Sequence, residues 1–165
     1  MTAHDRLRTV FENEHPRLWR SLFAHTGDAD IASDAAAEAF AQAVRRGDAM
    51  RDPTAWVWRT AFRIAGGHLA SRWRLGDPAA TSMATEDTLP EDVVVLLDAL
   101  ARLGEDERRV VVLCLVGGLS ASDVGRIVGA SPGAVRVRLH RARKKLIGLL
   151  GADAPSARGS QREGR

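Results

Sequence analysis

The chain holds one cysteine, Cys114, among 165 residues. A single thiol excludes an intramolecular disulfide and a cysteine-rich zinc site, and within an apolar stretch Cys114 reads as a small buried hydrophobe. No apolar run approaches the roughly 20 residues that span a bilayer, and the N-terminus lacks the basic-then-apolar order of a signal peptide. A cytoplasmic location without membrane insertion is therefore expected. Strand-like alternation between hairpin turns is missing as well. So are His-Glu-x-x-His spacing, a phosphate-cradling glycine loop and a nucleophile elbow. No catalytic residue, metal ligand or cofactor is expected. Lysine is scarce, two against 22 arginines, which points to a GC-rich genome.

What remains is helical. Hydrophobic residues make up 45% and charged residues 27% of the chain, and apolar spacing follows the helix period almost throughout. The spacing predicts a helix from Asp5 to His25 interrupted at Pro16, and a second from Asp28 to Arg46 that stops at Gly47-Asp48. A third, opened by Asp52 as N-cap and Pro53 in the first turn, continues to Arg74. Gly76 to Pro90 is rich in proline, small and acidic residues and reads as a flexible linker. Helical runs follow at Glu91–Leu103, Glu105–Val116, Ser120–Gly129 and Ser131–Leu150. The expected fold is all-α, with two small helical domains over 1–75 and 91–150, a linker over 76–90 and a disordered tail over 151–165.

The net charge of +3 conceals an asymmetry. Residues 1–75 carry 11 basic and 9 acidic groups, residues 76–107 carry 1 and 9, and residues 108–165 carry 12 and 3. A basic C-terminal third suits a polyanionic partner. The acidic stretch before it is either solvated linker or a means of keeping that third off the wrong DNA. Two helices joined by a short turn, from Ser120 to Val128 and from Ser131 onward, form a helix-turn-helix. On the second, Val135, Leu139, Ala142 and Leu146 fall within about 60° of one another and make a core stripe. Arg136, Val137, His140, Arg141 and Lys144 lie opposite, and no acidic residue occurs from Pro132 to Leu150. Such a helix suits the major groove, with Arg143 and Lys145 meeting phosphates, although a basic face is also what a merely solvated helix presents.

Residues Leu100 to Leu146, and especially Gly118 to Leu146 with its closing Arg138-Leu-His-Arg-Ala-Arg-Lys-Lys-Leu146, resemble the fourth conserved region of extracytoplasmic-function sigma factors, members of the sigma-70 family. That resemblance implies that Ser131, Arg136, Val137, Arg138, His140, Arg141 and Lys144 contact the upstream promoter element. Response-regulator DNA-binding domains share the motif, and a helix-turn-helix regulator binding DNA as a homodimer is the alternative.

The N-terminal half separates these readings. On the second helix Ala36, Phe40 and Val44 share an apolar face while Asp34, Glu38 and Gln42 line another. By periodicity alone the acidic line is an ordinary wet surface. However, Asp34-Ala-Ala-Ala-Glu38-Ala-Phe40 resembles the second sigma region, which implies that Asp34, Glu38 and Gln42 contact core RNA polymerase. The family often has glutamine where this chain has Ala37. Asp52-Pro-Thr-Ala-Trp56-Val-Trp58-Arg59-Thr-Ala61 is similar to the same region. Helical projection puts Trp56, Arg59, Arg63, Ala70 and Arg74 on one side and Val57, Ala61, Ile64 and His68 on the core side. An aromatic beside a row of guanidinium groups suits a separated DNA strand, because bases stack on rings and arginine neutralises phosphate. Trp56 serves equally well as core, and Trp58 is read mainly as core. The resemblance further implies that the loop from Arg45 to Arg51, with Asp48 and Met50, takes a base flipped from the melted downstream element. Relatives commonly have Asn and Asp at the positions of Arg63 and Gly67. The implied partners are core RNA polymerase, promoter DNA and, as in many relatives, an anti-sigma factor.

Overall fold

The computed structural model describes residues 1–76 and 89–152. These form seven α-helices: α1 (Ala3–Thr26), α2 (Ala29–Arg46), α3 (Pro53–Arg74), α4 (Glu91–Ala101), α5 (Glu105–Val111), α6 (Ala121–Val128) and α7 (Pro132–Ala152). Most of the segment read as a linker, and the tail beyond Ala152, lie outside the described residues. The fold class is all-α, as expected. No helix among the described residues is long and apolar enough to cross a membrane.

Local chemistry sets the boundaries. Thr2 and Asp5 form a reciprocal capping box at the start of α1, and Asp28, Asp52 and Ser120 each accept a backbone N–H three residues on at α2, α3 and α6. These bonds satisfy N–H groups that a helix leaves without an internal partner. One expectation fails: α1 runs unbroken through Pro16. Pro16 and Glu12, whose carbonyl loses its donor, are both exposed, so water can satisfy that oxygen. Likewise α7 continues two residues past Leu150, and α3 is helical across Gly66-Gly67.

Helices α1, α2 and α3 pack through small residues. Ala32, Ala35, Ala36, Ala39 and Ala43 of α2 are fully buried, so the backbones approach closely, with Leu18, Leu22, Trp58 and Phe62 filling the space between them. Two residues depart from their expected face. Val44 is exposed, because the buried line of α2 descends through Ala36, Ala39 and Ala43. His68 is exposed because the fully buried stripe of α3 ends at Ala65; farther on, Leu69 packs against the core and Arg72 pairs with Asp28 from another side of the helix.

The C-terminal helices do not form a separate core. A single buried cluster joins Leu18, Trp58 and Phe62 to Val110, Leu113, Val124 and Val135. Its hinge point is the end of α5, where Val112–Val116 widens into a π-turn closed by Gly117 N–H donating to the Val112 carbonyl at 2.9 Å. A methyl group on Gly117 would lie 2.7 Å from the Leu113 carbonyl oxygen and 3.2 Å from both Ser21 Oγ and Trp58 Cη2. Only glycine allows this approach.

His25 lies in this joint, 2% exposed and 5.2 Å from the Phe62 ring. Burial first, then the positive charges of Arg108 and Arg109, lower its pKa from 6.5 to about 3. The folded chain thus holds the imidazole neutral where the unfolded chain protonates it. Stability is expected to be undiminished above pH 6.5 and to fall as pH drops from about 6.5 toward about 3, by about 1.4 kcal/mol per unit from this group. Urea midpoints across that range should show a shallower acid slope for His25→Phe than for the wild type; parallel slopes would rule out the assignment.

Candidate nucleic-acid interface

Helix α7 begins where Ser131 Oγ accepts the Ala134 N–H at 3.1 Å and Pro132 supplies the fixed first-turn φ. The turn before it is set by close backbone contact. Ala130 N–H donates to the Gly125 carbonyl at 3.0 Å, and a Cβ on Gly125 would sit 2.4 Å from the Ala130 carbonyl oxygen. With Gly129 at φ 73°, α6 turns directly into α7. Val135, Ala142 and Leu146 anchor α7 in the core with half-buried Leu139 beside them.

That anchoring leaves Arg136, Val137, Arg138, His140, Arg141, Arg143 and Lys144 exposed. Arg136, His140, Lys144, Val137 and Arg141 occupy an arc of about 140° around the helix, wide enough to face a groove. Val137 is 51% exposed, an apolar side chain available to a thymine methyl. Two of the expected contacts also have partners within the chain. Ser131 is spent on the cap and lines a cleft at the helix's N-terminal end. Lys145 Nζ lies 2.7 Å from Glu107 Oε1 on α5, an ion pair that links α7 to α5.

In the N-terminal half, Arg59 and Arg63 are exposed on α3, and Trp56 is half-buried with the Arg46 guanidinium 5.7 Å from its ring centroid. Arg74 shares their side of the helix, but 18 residues separate it from Trp56, a rise of about 27 Å, so it belongs to a different locality. The loop residues divide. Asp48 is exposed and paired with Arg6, whereas Met50 is 6% exposed and packs into the core. As it stands, Met50 forms the floor beneath the loop and not a free contact for a base.

Arg126, which the sequence did not single out, completes this region. A cleft of about 630 Å³ runs between the loop and α3 on one side and the α6–α7 turn on the other, lined by Arg46, Met50, Trp56, Arg59, Arg126 and Ser131, among others. Arg59 donates to the Arg126 carbonyl. The Arg126 side chain pairs with Asp123 and lies 3.5 Å from Asp52. Asp123 is held below the usual carboxylate range first by its bond from Ser120 and then by Arg126. No local pattern marks Arg126 as a contact to α3, since its partners there, Arg59 and Asp52, lie 67 and 74 positions away.

On α2, Asp34 and Glu38 are exposed and Gln42 is half-buried. Glu38 Oε1 accepts from Gln42 Nε2 at 2.8 Å and from Arg45 at 2.9 Å, and those bonds, the Gln42 one foremost, lower its pKa. The carboxylate is therefore oriented along the helix surface.

Residues 94–146 match the family described as Sigma-70, region 4. Over 161 residues, 90% of this chain and 91% of the relative, the sequence is 33% identical to the RNA polymerase sigma factor CarQ of Myxococcus xanthus. The chain belongs to the extracytoplasmic-function sigma factors of the sigma-70 family. It is also 28% identical to the ECF sigma factor BldN of Streptomyces coelicolor, covering 91% of this chain and 62% of BldN. Among solved structures, CnrH in complex with the cytosolic domain of CnrY superposes with a TM-score of 0.71 at 22% identity, covering 92% of this chain and 91% of that one. The sigma factor RpoE in complex with the anti-sigma factor NepR from Bartonella quintana gives 0.69 at 20% identity, covering 88% and 97%. These likenesses extend over both halves of the sigma factor fold, and the helix-turn-helix is its region 4.

Proposed function

We propose that this sigma factor binds core RNA polymerase and directs promoter-specific initiation, with residues 1–75 and 91–150 as its two working units. The observation that carries the reading is the exposed basic arc of α7, free of acidic residues from Pro132 to Leu150. Arg136 and Arg141 reach base edges of the upstream element in the major groove, and Arg143 and Lys144 neutralise flanking phosphates. Trp56, Arg59 and Arg63 receive the melted downstream strand by stacking and charge. Asp34, Glu38 and Gln42 dock on the polymerase. No step requires a catalytic residue of this chain, because the polymerase performs the chemistry. An anti-sigma factor is a further proposed partner, since RpoE, of similar fold, was solved with one.

The decisive test is run-off transcription from a promoter library with purified core polymerase, with and without this protein. Transcripts sharing two unlike, spaced elements are expected; DNA binding by the chain alone as a dimer on a palindrome, without transcripts, would refute the proposal. The docking face has its own test. Glu38→Arg reverses an exposed charge, so affinity for core polymerase should fall roughly tenfold with the fold intact. Unchanged affinity in a titration of labelled sigma factor would show that the face lies elsewhere.

A further inference from the structure

A second cleft opens farther along α3, where that helix faces α5 and α6. It holds about 360 Å³, at the small end of ligand sites, and is lined by Arg59, Arg63 and Gly66 of α3 and Glu105 and Arg109 of α5, over the buried side chains of Phe62 and Ile127. Three guanidinium groups thus meet one carboxylate, and that carboxylate is already engaged: Glu105 Oε1 accepts from Arg109 at 3.0 Å. Arg63 is exposed and makes no hydrogen bond or ion pair with any described residue. The Arg109 side chain is 27% exposed, and its Nε–H is buried without an acceptor. Arg59 keeps donors beyond the one given to the Arg126 carbonyl. Like charges repel and a buried donor without an acceptor costs free energy, so the cleft lacks negative charge and acceptor oxygens, the two things an oxyanion supplies. Gly66 keeps the wall open. Glycine is a poor helix former, and no internal contact requires it here, because a Cβ would meet nothing closer than Glu105 Oε1 at 3.8 Å. A longer side chain at that position would fill the cleft.

We infer that this cleft is a binding site for a phosphate-type oxyanion, held by Arg63 and Arg109 with Arg59 at its edge and seated over Phe62 and Ile127. Guanidinium groups suit phosphate because their planar fork presents paired N–H donors to two oxygens at once. The apolar floor strengthens the attraction by lowering the local dielectric. The walls belong to different halves of the chain, so the anion bridges them and stabilises the folded form by mass action. The ligand is a free polyphosphate or a phosphodiester of a nucleic-acid strand, since both offer the same oxygens. The site shares Arg59 and Arg63 with the proposed strand surface but stands without that assignment.

The test is calorimetric titration of inorganic tripolyphosphate into the full chain at a fixed ionic strength of about 0.15 M, where exposed charges more than about 8 Å apart are largely screened. Saturable binding at one site and a raised Tm are expected for the wild type. Arg63→Ala removes a side chain that has no partner within the chain, and Arg109→Gln keeps a planar polar group; each should weaken binding about tenfold or more. Gly66→Leu leaves every charge in place and favours the helix, yet should abolish binding by filling the cleft. Arg20→Ala, an equal loss of charge on an exposed part of α1, should stay within about twofold of wild type. No binding by the wild type, binding that survives Gly66→Leu, or an equal loss in Arg20→Ala and Arg63→Ala overturns the inference. Circular dichroism checks that each variant folds; if Arg109→Gln does not, Arg63→Ala and Gly66→Leu decide. A short oligothymidylate strand then identifies the source. If the strand displaces tripolyphosphate and itself binds Gly66→Leu more weakly, the site takes a strand phosphodiester. If tripolyphosphate stays bound, the site takes a free polyphosphate, and the proposed function, which run-off transcription tests separately, is untouched.

Discussion

Replacing Arg136 and Arg141 together by alanine should weaken upstream duplex binding by about a hundredfold or more and leave affinity for core polymerase unchanged. Both side chains are exposed on α7, on the side opposite Val135, Ala142 and Leu146. Their removal therefore takes nothing from the core, and the helix keeps its Ser131 cap. A good base-directed contact contributes about 1–3 kcal/mol, and each 1.36 kcal/mol is a factor of ten in affinity. Salt dependence identifies what was lost. A phosphate contact lowers the slope of log affinity against log salt by about 1, whereas a base contact mainly relaxes sequence preference at its position. Duplex titrations at several salt concentrations, paired with a polymerase-binding assay, check the prediction. Loss of both activities together would contradict the division of labour between the halves.

Trp58→Ala is expected to cost about 3–5 kcal/mol, the range for deleting a large aromatic from a core. A domain's whole stability is about 5–15 kcal/mol, so much of the population would unfold at physiological temperature. Trp58 is fully buried and stacked near-parallel on Phe62 with centroids 6.3 Å apart. Its indole Nε1 donates to Glu14 Oε2 at 2.9 Å. The far edge of the ring is what Gly117 packs against, so the cavity would open at the joint between the halves and not only inside the first. Urea unfolding followed by circular dichroism provides the measurement. Trp73, 63% exposed at the end of α3, is the control, and its alanine variant should stay within about 0.5 kcal/mol of wild type. A loss below about 1 kcal/mol for Trp58→Ala would mean that the joint is not a shared core.

Much of this architecture is legible in the sequence because its causes are local. Asp28, Asp52 and Ser120 cap the helices they precede, and Val135, Ala142 and Leu146 recur at the helix period and are buried. The exposed face of α7 follows as the complement of that stripe. Where local reasoning failed, a neighbour decided. Pro16 breaks helices on average, but here it sits on a solvated face where its missing N–H costs little. Val44 and His68 share the expected face by angle, yet the buried lines of their helices run through Ala43 and Ala65 and leave both side chains in solvent. Lys145 meets Glu107 of α5, a partner 38 positions away that no local pattern announces.

The sequence by itself determined an all-helical chain, the approximate course of its helices, the helix-turn-helix and the charge on its outer face, since each depends on residues within a few positions of one another. Only the tertiary structure decided that the C-terminal helices share a core with Trp58 through Gly117, that Met50 is buried, and that Arg126 meets Asp52 and Arg59. Those contacts join residues far apart in the chain, and helical periodicity carries no record of which distant surface an exposed arginine will face.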